Sequence, residues 1–264
     1  MTGPAYDRGT IAVLWWRDLL LFFHQRSRLI GALLTTLLLW LAIGAGIAPS
    51  FVLPDGDVGY MEYFYPGVIL MLLLQVSISA TMSVIEDRRQ GFLQGVLVGP
   101  GSRVAVVLGK TLGSASVALF HAACFIALAP LAGYHYGDIS WLPLIAVAGL
   151  ASLSLTAMGF TLAWALNSIQ GYHAVMNLVL FPLWILSGAM FPAAGLHSVL
   201  GAIVRWNPMS YTMNALRRAL YGGSLPDALD LPWSGQWIEF GVLATTTAVL
   251  LALACWVAAR RPVA

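Results

Sequence analysis

The chain has 264 residues, of which 59% are hydrophobic and only 9% charged, and its thirteen Lys and Arg nearly balance eleven Asp and Glu. With a mean hydropathy of +0.83, this composition excludes a soluble globular domain and reads as a polytopic membrane protein. The net charge of +2 gives no reason to expect a nucleic-acid partner, and Cys124 and Cys255, both inside apolar runs, suggest neither a disulfide framework nor a metal site.

At roughly 20 residues per crossing there is room for about six spans and short loops in one membrane domain over 1–264. No internal repeat divides it. Residues 1–29 carry Arg8, Arg17, Arg26 and Arg28 and begin without a long apolar run. On a helical wheel Trp15, Leu19, Phe22 and Phe23 fall together and Arg17, His24 and Arg28 fall opposite, which predicts an interfacial amphipathic helix. A long signal peptide with Leu29 to Ile43 as its apolar core is the competing reading. The six spans lie within 30–259. The first runs from about Ile30 to Pro49, and the loop after it holds Asp55, Asp57 and Glu62 without Lys or Arg, beside an aromatic belt of Tyr60, Tyr63 and Tyr65. The second is Pro66 to Ile85, the third about Val104 to Leu131, the fourth Trp141 to Leu166, the fifth His173 to about Phe191 and the sixth Ile238 to Ala259, before a tail at 260–264.

Between spans two and three lies a charged island, Glu86 to Arg103. Its first four residues, Glu86, Asp87, Arg88 and Arg89, are all ionised, so the segment cannot sit in hydrocarbon. Leu93, Val96 and Leu97 then recur at i, i+3 and i+4 between polar glutamines, predicting a short helix with one apolar face that Pro100 ends. Gly91, Gly95 and Gly99 recur every four residues, which permits close helix contact but equally marks a helix that needs a partner to order it. Ten of the thirteen Lys and Arg fall in the amino-terminal segment, around the island or at the end of the chain. The positive-inside tendency therefore predicts that both termini and the island are cytoplasmic. Lys110, the only lysine, stands one to two turns inside the third span and is expected to snorkel to the interface.

The stretch from Ile185 to Gly223 is too apolar for a free loop, yet Gly188, Pro192, Gly195 and Pro208 interrupt it too often for a span. Short re-entrant or interfacial helices are the physical solution. A sharp turn near Phe191-Pro192 and a new helix from Asn207-Pro208, carrying Tyr211, Arg217 and Arg218, are expected. Catalytic motifs are missing: the sequence has no H-E-x-x-H and no G-x-S-x-G, and Gly109-Lys110-Thr111 lacks the first glycine of a phosphate loop. His121 reads as a packing histidine.

These features together resemble the permease subunit of the ABC-2 family of ABC exporters, the group that includes daunorubicin-resistance and nodulation permeases, over almost the whole chain. The family's coupling pattern is an acid, a basic or polar pair, G-T-L-E, apolar residues, a small residue, Pro and S-R. It maps onto Glu86, Arg88, Gly91-Phe92-Leu93-Gln94, Val96 to Val98, Gly99, Pro100 and Ser102-Arg103, with Phe92 in place of Thr and Gln94 in place of Glu. The outer pattern of N-P, a tyrosine and L-R is met by Asn207-Pro208, Tyr211 and Leu216-Arg217, with Asn214 where an acid is expected.

The resemblance implies an all-α polytopic fold: six transmembrane helices, an N-terminal interfacial helix, a cytoplasmic coupling helix between spans two and three, and short re-entrant helices before span six. It implies a multi-pass permease of a bacterial inner (plasma) membrane, not an enzyme, with membrane lipid around it. Partners would be a second permease chain, as homo- or heterodimer, and two copies of an ABC ATP-binding subunit; no cofactor is expected on this chain, since ATP and Mg belong to that subunit. Phe92, Leu93, Val96 and Leu97, between Gly91 and Pro100, are then the expected socket contact, oriented by Glu86, Arg88, Arg89 and Arg103. A plain interfacial helix with solvated charges is the bland alternative. Spans two and five line the path in that family, which makes Met71, Gln75, Asn177 and Phe181 the expected path residues here. Their polarity suits an amphiphilic, lipidic or glycan-type cargo leaving the cytoplasm or the inner leaflet. An ion-coupled secondary transporter or channel is the rival, weakened by spans without ionised centres and without an inverted repeat.

Overall fold

In lipid an apolar chain must satisfy every backbone N–H and C=O within its own segment, and helix is the local way to do so. The computed structural model describes residues 4–50, 58–166, 168–191, 198–226, 229–231 and 233–260; Asp55, Asp57, Asn167, Pro192, Gly195 and Arg261 lie outside them. Among the described residues there are eleven α-helices and no strand: α1 (Pro4–His24), α2 (Arg26–Ile47), α3 (Tyr60–Thr81), α4 (Ser83–Arg89), α5 (Phe92–Val98), α6 (Arg103–Ile126), α7 (Trp141–Ala165), α8 (Ile169–Trp184), α9 (Ser198–Trp206), α10 (Pro208–Leu220) and α11 (Gln236–Arg260). Six segments are long and apolar enough to cross a membrane: Arg26–Ser50, Tyr60–Arg89, Arg103–Ile126, Trp141–Ala165, Ile169–Ala189 and Gln236–Arg260. They are the six predicted spans with shifted edges.

The largest shift is at span two, which starts at Tyr60 rather than Pro66. Pro66 sits inside α3 and cannot donate to the carbonyl of Glu62. The hydroxyl of Tyr134 donates to that carbonyl instead, at 3.0 Å, so the helix continues through the proline. α3 is the central element, buried along 72% of its most apolar window, against 17% for α2, 22% for the α8 segment and 28% for α11. The peripheral three leave most of their apolar surface for lipid or for another chain. Tyr60, Tyr63 and Tyr65 mark one end of α3; the charged island, reached through α4, marks the other. At the island end Asp7 of α1 accepts from the Ser102 amide at 2.7 Å, and the last carbonyls of α11 accept from Arg103.

α1 runs alongside α6 in the same direction. Two glycines of α6, Gly109 and Gly113, let the helices touch: a Cβ at Gly109 would lie 2.9 Å from Leu14 Cβ and 3.1 Å from the Ile11 carbonyl, and one at Gly113 would lie 2.9 Å from Asp18 Cβ. This is the small-xxx-small contact of membrane helices, placed four residues apart in α6 rather than in the island where the glycine repeat drew notice. Further along, the ring of Phe22 packs edge-on against His121 and that of Phe23 against Phe120. The inward face of α1 is therefore Leu14, Asp18 and Phe22, rotated from the predicted face of Trp15, Leu19, Phe22 and Phe23, and Arg17 turns toward protein rather than solvent. The rotation follows from backbone approach at the glycines, which the apolar count along α1 does not register.

At the opposite end α8 breaks in a wide turn over Ile185–Ala189, where Gly188 takes a φ of +82° that only glycine adopts without strain. The carbonyls this break releases are capped from elsewhere. Gly188 O accepts from Tyr63 Oη and from Arg217 Nη2, both at 2.7 Å, and Leu183 O accepts from Asn207 Nδ2 at 2.7 Å. Asn207 also caps α10 through Met209 N, with Pro208 in the first turn, and Tyr211 ties α10 to the Arg205 carbonyl at the end of α9. Phe191 follows the break and is exposed.

Gly109→Ala is expected to cost about 1–3 kcal/mol by forcing α1 off α6. Gly149→Ala, where a Cβ meets nothing within 4 Å, is the control and should be neutral or slightly stabilising. Thermal unfolding of the two variants in one detergent checks the difference.

Candidate functional site

The island is built from two short helices and two glycine turns. α3 passes through Met82 into α4; Gly91, at a φ of +75°, reverses the chain; α5 follows, and Gly99-Pro100-Gly101 ends it. Ser102 then opens α6 by accepting from Ala105 N at 3.1 Å. A helix of seven residues cannot hold itself in water, so α5 needs its apolar side for anchorage. Leu93 is fully buried, Phe92, Val96 and Leu97 are half-buried against the core, and Gln94, Gly95, Val98, Gly99 and Pro100 face outward, Val98 at 88% exposure. The apolar residues predicted as the socket contact thus turn largely into the chain's own body. The outward face is the one whose residues carry no apolar periodicity.

Three arginines fix this unit to three different helices. Arg88 donates to the carbonyls of Ala163 and Trp164, each at 3.0 Å, and to that of Leu166, satisfying the open carbonyl end of α7. Arg103 does the same for α11 through Ala258 O at 3.0 Å and Ala259 O at 3.3 Å. The third, Arg17 of α1, lies with its guanidinium 3.8 Å from the centre of the Phe92 ring. Arg89 is exposed on the end of α4, and Glu86 is half-buried beside it.

Behind Phe92 the charges close into a group of four. Arg17 grips Asp87 with both nitrogens, Nη2 to Oδ1 at 2.8 Å and Nη1 to Oδ2 at 3.1 Å; Lys110 reaches Asp18 Oδ1 at 2.8 Å and also pairs with Asp87 Oδ2. Arg17 lies 3.4 Å from Asp18 as well. Two cations and two carboxylates from α1, α4 and α6 therefore balance. Lys110 is 1% exposed and does not snorkel: two carboxylates within reach offset the cost of stripping its water, and no path to the interface is needed. Asp18 Oδ2 has no hydrogen-bond partner among the described residues. Burial holds the Asp18 carboxyl above the ordinary value of 3.8, with the Lys110 ammonium opposing it. The wheel leaves Asp18 out of account, although an acid four residues after Leu14 on a buried face and a single lysine in the third span are the signals that join them.

The four expected path residues are not brought together. Met71 is buried in the core; Gln75 lines a cavity among α2, α3 and α6; Asn177 and Phe181 are exposed on α8 and line no part of that cavity. A second polar cluster, near the broken end of α8, escapes sequence reading. Glu239 is fully buried and accepts from Asn214 Nδ2 at 2.6 Å, Ser234 Oγ at 3.1 Å and Arg218 Nη2 at 3.2 Å, while Arg218 also meets Asp230 at 2.8 Å. Burial works against the Arg218 cation, but Glu239 and Asp230 more than offset it and hold its pKa above the ordinary value. Asn214 thus stands not in place of an acid but between two acids supplied from later in the chain.

Residues 45–256 match the family described as ABC-2 family transporter protein. The chain belongs to the ABC-2 family. Nodulation protein J of Neorhizobium galegae is 27% identical over 208 residues, 76% of this chain and 77% of the relative. The putative transport permease ycf38 of Cyanophora paradoxa is 27% identical over 207 residues, 75% of this chain and 70% of the relative. The probable multidrug ABC transporter permease YbhR of Escherichia coli K12 is 25% identical over 209 residues, 75% of this chain but 53% of that longer relative. Membership makes this chain a multi-pass membrane permease of an ABC transporter rather than an enzyme, and implies association with an ABC ATP-binding subunit. The ABC-2 match contains the island and Lys110, whereas α1, with Arg17 and Asp18, precedes it.

Asp87→Asn leaves two cations short of a partner and is expected to cost about 3–5 kcal/mol. Asp18→Asn should cost less, because ionised Asp18 already bears an uncompensated burial penalty. Since its folded pKa is raised, the stability Asp18 contributes is present below the ordinary carboxylate pKa and lost as pH rises through the folded value. The penalty of Asp18→Asn therefore shrinks as pH is raised, which thermal unfolding of both variants between acid and neutral pH will show.

Proposed function

We infer that the chain is the permease of an ATP-driven exporter, set in a bacterial inner membrane with its island end and both termini in the cytoplasm. The excess of Lys and Arg at that end supports this orientation. Two permease chains, as homo- or heterodimer, act with two ATP-binding subunits that hold ATP and Mg, and the cargo is amphiphilic, lipidic or glycan-type. The largely exposed surfaces of α2, α8 and α11 suit a second chain as well as lipid, and the exposure of Asn177 and Phe181 on α8 supports a path formed between chains. The similarity to YbhR, a probable multidrug ABC transporter permease, favours an exporter.

One observation carries the reading: α5 and the turn after it offer Gln94, Gly95, Val98 and Pro100 outward, while Phe92 packs on Arg17 of α1 and the flanking Arg88 of α4 and Arg103 of α6 join the unit to the ends of α7 and α11. A push on that outward face reaches three helices through charged or carbonyl contacts rather than being absorbed locally. Leu93 and the inner residues support α5, and the outward residues meet the ATP-binding subunit.

The test is a pair of exposed substitutions, Gln94→Lys with Val98→Asp, in the chain copurified with its ATP-binding subunit from the native host. The double variant should unfold within about 0.5 kcal/mol of wild type yet lose both the copurifying subunit and its stimulated ATP hydrolysis. Retention of wild-type ATPase stimulation would overturn the docking assignment. Cargo movement in vesicles driven by an ion gradient without nucleotide would overturn the ATP-driven reading itself.

A further inference from the structure

Where α1 hands over to α2, two adjoining cavities open against α3 and α6, sharing Phe22, Arg28, Ala80 and Val117. Arg17, Phe92, Arg88 and Arg103 line neither, although Asp18 of the charge group lines the second. Both walls carry residues with a polar atom that is unmatched among the described residues. His121 is 1% exposed on the wall of the first cavity; its Nδ1 faces the Val117 carbonyl at 2.9 Å, so that nitrogen carries the proton and Nε2, which has no partner, is left as an acceptor. Asp18 Oδ2, also buried and unpartnered, lines the second cavity. Both are acceptors that call for a donor. Glu86 lines the same cavity and makes no ion pair among the described residues. Against these acids stands Arg28, common to both cavities, which spends one hydrogen bond on Gln25 Oε1 at 3.2 Å and, among the described residues, keeps the rest of its fork open.

Positive and negative groups side by side, with apolar walls of Phe22, Ala32, Val76 and Val117, describe a receptor for a zwitterion that also has a hydrocarbon part. We propose that the paired cavity binds the head group of a lipid carrying a phosphate and a primary ammonium, the phosphate on Arg28 and the ammonium on Asp18 Oδ2 and Glu86. Arginine is the side chain suited to a phosphate fork, and an ammonium supplies the N–H donors that the buried acceptors lack. A quaternary ammonium has no N–H to give, and a head group without an amine sets its anion against Asp18 and Glu86. Leu21, which lines the second cavity and is itself exposed, offers acyl chains an apolar surface there. The site requires only the membrane-embedded fold and is independent of transport direction and of the ATP-binding partner.

Native mass spectrometry of the full chain in mild detergent, with phosphatidylethanolamine, phosphatidylcholine and phosphatidylglycerol of identical acyl chains added in turn, tests this. Phosphatidylethanolamine is expected to be retained about tenfold over each of the others. Arg28→Ala should lose about tenfold in that retention, and Glu86→Gln should lose the preference over the other two lipids. Equal retention of the three lipids, or best retention of phosphatidylglycerol, overturns the proposal, and wild type alone decides this whether or not the variants fold. Variants that fold, by thermal unfolding, and keep the wild-type preference overturn the residue assignment. Displacement by soluble glycerophosphoethanolamine at the concentration of the lipid overturns the lipid as its source.

Discussion

Burying four charges in one place constrains everything around them. Arg17, Asp18, Asp87 and Lys110 come from three helices that are distant in sequence, and each charge is tolerable only while the others stay within hydrogen-bond reach. The group therefore fixes how α1, α4 and α6 sit, and through the Arg17 guanidinium it fixes Phe92 and the start of α5. A softer, apolar junction would allow those helices to slide. An ionic one has few alternative arrangements of comparable energy, so the island end is held in one geometry.

The same logic recurs where backbone, rather than side chains, is left unsatisfied. α7 and α11 end at the island, and their last carbonyls are taken by Arg88 and Arg103; α8 breaks at the other end, and its released carbonyls are taken by Arg217, Asn207 and Tyr63. Pro66 interrupts α3, and Tyr134 completes it. Each repair joins the interrupted helix to a different element, so the irregular points of the bundle become its cross-links. The guanidinium of Arg217 also lies 4.3 Å from the centre of the Tyr63 ring, which ties the repaired end of α8 to the start of the central helix.

The two ends of the bundle differ in what they leave open. At the far end Glu239, Asp230 and Arg218 are joined through Asn214 Nδ2, and the atoms left over there, Asn214 Oδ1 among them, line neither of the paired cavities. At the island end the balance is incomplete: Asp18 keeps an unpaired oxygen, His121 an unpaired nitrogen, and Arg28 and Glu86 look into the same space. Polar atoms that a fold keeps dry without a partner are costly, and at the island end two of them, Asp18 Oδ2 and His121 Nε2, belong to residues that line cavities.

The sequence by itself determined the number of spans, the helix between the second and third, the broken segment before the sixth and the helix beginning at Asn207-Pro208. Those features depend on hydropathy, local periodicity and the backbone chemistry of Gly and Pro, all written in consecutive residues. Only the tertiary structure decided which face of each helix turns inward. Gly109 and Gly113 rotate α1 so that Asp18 meets Lys110, and anchorage turns Leu93 in and Val98 out, the reverse of what an apolar stripe suggests for a docking surface. Glu239 gained its partners from a helix and a loop that sequence spacing does not connect to it. Charges within a turn of one another can be paired by counting; charges on helices 70 or 92 residues apart are paired by packing.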